Sequence, residues 1–118
     1  MHKMVVMLFA LAGMYAAEGQ PDRVYKSLDE VADPSEVYVL RLRNKRLRTV
    51  PSAVYGMANL RELDLRGNQI SWLSDSIAQL RHLRRLEVSR NPLMGLPEGM
   101  TQMKELEELV VWDTYVTD

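Results

Sequence analysis

The chain has no cysteine, which removes disulfide frameworks and thiolate chemistry from consideration. It carries only two histidines, and no zinc-type ligand spacing appears anywhere. There is no phosphate-cradling P-loop and no dinucleotide-binding glycine fingerprint. The formal net charge is −1, so no global field draws the chain to nucleic acid. The longest unbroken apolar run, Met4 to Ala12, is too short to span a bilayer as a helix. At 118 residues the chain makes one domain at most.

The stretch from Leu60 to Leu83 organises what is present. Leu60, Leu63, Leu65, Ile70, Leu73, Ile77 and Leu80 are spaced 3, 2, 5, 3, 4 and 3 apart. That mixture is neither a helix period nor a strand period. It fits one coil of a solenoid: Leu63 and Leu65 alternate as in a short strand, Gly67-Asn68 turns the chain, and Ser74 to Leu83 returns over the outer side. Such a unit leaves an apolar edge that only a stacked neighbour covers.

The neighbours are in the sequence at a step of 23 residues. Leu63-Asp64-Leu65 recurs as Leu40-Arg41-Leu42, Leu86-Glu87-Val88 and Leu109-Val110-Val111. Asn68 recurs as Asn91. Ile70 recurs as Leu47, Leu93 and Val116, and Ile77 as Val54 and Met100. Over about Val37 to Val116 the pattern resembles the leucine-rich repeat family in its LxxLxLxxNxLxxLPxxIxxLxxL form. The resemblance implies an α/β solenoid with a short parallel sheet on the concave side and short helical or irregular segments on the convex side. It also implies a recognition role, although the same scaffold serves many partners.

Residues 1–19 read as a secretory signal peptide. His2 and Lys3 open it, the apolar run follows, and Ala17-Glu18-Gly19 sets small residues at −3 and −1 before Gln20. The mature chain is then expected to be secreted, or to lie in the periplasm or cell envelope. Residues 20–36 read as an N-terminal capping segment. Ser27-Leu28-Asp29-Glu30 has the form of a helix capping box, which predicts a short capping helix over about Leu28 to Ala32, ended by Asp33-Pro34. The repeats fill residues 37–118 in about 3.5 coils.

Several slots depart from the pattern. Lys45 and Thr114 stand where the other coils have Asn68 and Asn91. The resemblance gives that asparagine an inward amide that bonds the backbone of adjacent coils. A lysine cannot accept such bonds but can reach solvent from an outermost coil. Pro51, Ser74 and Pro97 occupy the slot that starts the return segment. Met57, Met94, Met100 and Met103 are expected as core filler, and His82 as an inert surface residue. Trp112 and Tyr115 either fold over the last coil as a cap or leave an edge open to another chain.

By the period of two, residues flanking the inward leucines face out of the implied sheet. One column is Arg41, Asp64, Glu87 and Val110. The next is Arg43, Arg66, Ser89 and Trp112. A third is Val39, Glu62, Arg85 and Glu108. Adjacent coils lie about 4.8 Å apart, so Arg41 with Asp64 and Arg85 with Glu62 are expected as exposed ion pairs. The carboxylates of Glu62, Asp64, Glu87 and Glu108 do not read as a catalytic set. Any two neighbours meet the separation of a glycosidase pair by construction, while flanking arginines and open water are the reverse of a dry acid–base site. No catalytic residue, metal ligand or cofactor is expected, and the chain is not expected to be an enzyme.

A binding role suits the columns better. Arg41, Arg43, Asp64, Arg66, Glu87, Ser89 and Trp112 are the expected partner-binding residues, because Arg and Trp are frequent anchors of protein interfaces. An anionic glycan is a further possible ligand at Arg41, Arg43, Lys45, Arg46 and Arg66, whereas nucleic acid lacks the interleaved aromatics it would stack on. Charge is also segregated along the stack. Val37 to Arg90 carries 11 basic and 4 acidic side chains, a net of +7, and Asn91 onward carries 1 and 6, a net of −5. The alternative to partner recognition is therefore self-association, with the basic early coils of one copy meeting the acidic, aromatic end of another.

Overall fold

A computed structural model describes residues 21–117. The expected signal peptide lies outside the described residues. Five short strands form one sheet: β1 Val24–Tyr25, β2 Val39–Arg41, β3 Glu62–Asp64, β4 Arg85–Glu87 and β5 Glu108–Val110. They pair in chain order, every neighbour parallel. Register places Leu40, Leu63, Leu86 and Leu109 side by side in one inner row. The 23-residue step is thus the coil of the solenoid.

The convex side is built from 3₁₀ helices at Ser52–Gly56, Asp75–Gln79 and Glu98–Gln102. Pro51, Ser74 and Pro97 sit at their N-caps, and Ser74 also accepts a hydrogen bond from Ser76 N. Tight helices suit a short return path, since they rise about 2.0 Å per residue against 1.5 Å for an α-helix. Val54 and Ile77 point inward from these helices and are fully buried, together with Leu40, Leu63 and Leu86 of the inner row.

The asparagine ladder seals the turn side. Asn68 Oδ1 accepts from Lys45 N and Leu47 N, and its Nδ2 donates to Leu42 O and Leu65 O. Asn91 accepts from Ile70 N and donates to Leu65 O, Val88 O and Ser89 O. Each amide therefore satisfies buried backbone groups on its own coil and the preceding one. Thr114 performs the intracoil half alone, donating to Val111 O and accepting from Val116 N. Lys45 is exposed.

The turns after β2, β3, β4 and β5 enter the left-handed region: Asn44 (φ 54°) and Arg46 (58°) after β2, then Gly67 (74°), Arg90 (57°) and Asp113 (57°). Glycine suits 67 because of its positive φ, and a Cβ there would also displace the Asn44 side-chain amide.

The N-terminal cap differs from expectation. It contributes a strand, β1, whose Tyr25 extends the inner row against Leu40 and is buried. The 15-residue offset from Tyr25 to Leu40 is not the repeat period, so periodicity could not reveal it. In place of a capping helix the segment forms two 3₁₀ turns, Leu28–Glu30 and Pro34–Glu36. Ser27 Oγ accepts from Asp29 N, and the Glu30 carboxylate reaches back to Lys26 N. Too few residues separate Leu28 from Pro34 to nucleate an α-helix. Asp33 then caps the second turn, where hydrogen bonds from the Ser35 hydroxyl and N–H hold its carboxyl below the ordinary carboxylate value.

Other expectations are corrected at the end of the stack. Met57 and Met103 are core and Met100 packs against it, but Met94 is 56% exposed. It occupies the outward slot of Ser71, to whose carbonyl its N–H bonds. Neither Trp112 nor Tyr115 caps the last coil: both are exposed, and Trp112 turns to the concave face. Leu109, Val111 and Val116 are only partly buried there.

Candidate functional site on the concave face

The expected columns form as read. Arg41, Asp64, Glu87 and Val110 are register partners, as are Val39, Glu62, Arg85 and Glu108. The parallel ladder runs past the strand ends, with Asn44 N bonded to Arg66 O, Gly67 N to Ser89 O and Arg90 N to Trp112 O. These bonds set Arg43, Arg66, Ser89 and Trp112 in the second column.

Depth separates the seven expected residues. Arg41 and Arg66 are half-buried and Arg43 and Trp112 are exposed. Asp64, Glu87 and Ser89 are buried, at 2%, 4% and 0%. The carboxylates are therefore a supporting layer and not the exposed, exchangeable charges that spacing predicts. Asp64 Oδ1 accepts from Arg66 N, and Glu87 Oε1 accepts from Ser89 N. This local bond bends each acid toward the second column. Asp64 consequently takes Arg43 Nε as its ionic partner, in place of Arg41 directly opposite. Arg85 pairs with Glu108 at 2.9 Å and approaches Glu87 at 3.6 Å, in place of the expected Glu62.

Trp112 is the exposed aromatic of this face. The Arg66 guanidinium lies 4.9 Å from its ring centre and that of Arg90 6.0 Å. Arg66 and Trp112 belong to coils two steps apart, so their contact bridges the position of Ser89 between them. That explains how a serine on an open sheet becomes fully buried, with its Oγ lacking a hydrogen-bond partner. Arg90 also lies 4.0 Å from Asp113. Sequence reasoning missed Arg90 because it sits in the turn, outside the alternation that defines the face.

At the opposite end of the face, Lys26, Arg41, Arg43 and Lys45 line a cleft of about 350 Å³. Lys26 follows β1 directly and extends the first column by one strand. Among the described residues no group of three or more His, Asp or Glu side chains is placed to hold a metal ion. No helix there is long and apolar enough to cross a membrane. On the convex side His82 Nδ1 lies 2.9 Å from Glu105 Oε2, and both side chains are about half exposed.

No curated protein matches the chain. A solved structure of a leucine-rich repeat protein from Leptospira interrogans is similar at 20% identity and a TM-score of 0.47, over 80% of this chain and 36% of that one. The chain thus spans little more than a third of that protein. The leucine-rich repeat region family matches residues 20–118, a family whose scaffold typically serves protein–protein interaction. With the match covering most of the sequence and the aligned inner row beneath it, the chain belongs to the leucine-rich repeat family.

Proposed function

We propose that the chain recognises a protein partner through its concave face, outside the cytoplasm, without catalysing a reaction. The observation that carries this reading is Trp112, half exposed and held by two guanidinium groups. A large amphipathic ring fixed in place before contact loses little conformational freedom on binding. Tryptophan and arginine together make the commonest interface anchors. Arg41, Arg43 and Arg66 supply directional donors beside it, and buried Asp64 and Glu87 hold the loop and arginine geometry from beneath.

The test compares partner capture by the full chain with capture by Trp112→Ala and Arg66→Glu. Each variant is expected to weaken capture about tenfold or more, with an unchanged circular dichroism spectrum. Capture at the full level by both variants would remove the concave face as the binding surface.

A further inference from the structure

We propose that the Lys26–Arg41–Arg43–Lys45 cleft is a subsite for an extended acidic peptide segment of the partner. This rests on the concave-face reading and names the chemistry of one end of it.

All four side chains lining the cleft are cations. Lys26, Arg41 and Lys45 have no ionic partner among the described residues. Arg43 gives only its Nε to Asp64 and remains 48% exposed. The acids that would neutralise the cluster are committed elsewhere. Asp64 is buried and bonded to Arg43 and Arg66 N, and Glu30 bonds the Lys26 backbone without lining the cleft. Like charges held within about 5–7 Å of one another repel, and an arriving anion relieves that repulsion.

Spacing selects the form of the anion. Arg41 and Arg43 lie two residues apart along the β2 ladder, so their side chains leave the same face about 6.6 Å apart. Alternate side chains of an extended peptide share that repeat. A segment with Asp or Glu at every second position therefore presents carboxylates in step with the two guanidinium forks, which donate paired N–H bonds to a carboxylate. Lys26 and Lys45 flank the forks as mobile point charges. A sugar chain fits less well, because the aromatic of this face already carries two guanidinium groups on its ring.

The test measures binding of a fluorescent Asp-Ser-Asp-Ser-Asp peptide to the full chain by anisotropy. An Asn-Ser-Asn-Ser-Asn peptide, a heparin-derived hexasaccharide and inorganic sulfate are the comparison probes. The acidic peptide is expected to bind and the amide peptide not to bind. Binding is expected to weaken steeply as salt rises from about 0.05 to about 0.5 M. Arg41→Gln with Lys45→Gln is expected to lower affinity about tenfold. Lys26→Gln, at an exposed position, gives a second variant with no packing to disturb, and the convex-side Arg81→Gln is expected to change nothing. No peptide binding, equal binding of the amide peptide, or tighter binding of the hexasaccharide through the same residues would each overturn the proposal. The two readings fail separately, since peptide affinity reports on the cleft while partner capture by Trp112→Ala reports on the face.

Discussion

At the scale of single residues, the five left-handed turn positions are instructive. Asn44, Gly67 and Asp113 are residue types that tolerate positive φ, but Arg46 and Arg90 are not, and of these two Arg90 also touches Trp112. Arg90→Gly relieves about 1–2 kcal/mol of backbone strain and returns about 0.5–1 kcal/mol through the freer unfolded chain. Chemical denaturation should therefore find the variant more stable by about 0.5–1 kcal/mol, while partner capture falls because Trp112 loses one of its cations. A retained strained arginine would then be explained by binding. Loss of stability would show that Arg90 serves the fold. Ser89 makes the complementary case. Its buried Oγ has no partner, so Ser89→Ala removes an unsatisfied polar group and should raise stability by about 0–1 kcal/mol in urea titration. It should leave partner capture unchanged, because the position offers no surface.

At the scale of elements, every strand among the described residues is three residues or fewer and every helix there is a 3₁₀ turn, so no such element is stable alone. The inner row supplies the stability, and each leucine's share depends on being covered from both sides. Leu63 is fully buried between Leu40 and Leu86, whereas Leu109 is only partly buried. Leu63→Ala is expected to cost about 3–5 kcal/mol, and Leu109→Ala about half of that or less. Equal costs by urea unfolding would contradict the nearest-neighbour account of the stack. The cap obeys the same logic. Tyr25, Leu28 and Val31 cover the first coil; Val31 lies one step of 23 before Val54, whereas Tyr25 and Leu28 fall on no apolar slot of the repeat.

At the scale of the molecule, stability and charge are both graded along the axis. Amide exchange should be slowest at Leu65 and Gly67, whose N–H groups bond into the third coil, and fastest at Tyr115 and Val116 in the last turn. Uniform exchange would mean that the stack opens as one unit. The charge gradient also bears on self-association. Residues 21–36 carry five acidic and two basic side chains, a net of −3, and lie over the first coil. Stacking copies end to end would bring this acidic cap against Glu105, Glu107 and Glu108, which argues against that geometry.

The sequence by itself determined the coil. Its period, the inner row, the outward columns and the asparagine slots all follow from residue type at a fixed step of 23. A one-dimensional repeat makes each coil's neighbour the same distance away in sequence as in space. Only the tertiary structure decided what lies off that step. Strand β1 joins at an offset of 15. Arg43 displaces Arg41 as the partner of Asp64. Asp64, Glu87 and Ser89 sink below the surface, and Trp112 swings over Ser89 to meet Arg66. These depend on which way neighbouring side chains lean and which hydrogen bonds claim their atoms, and a list of residue types does not contain either.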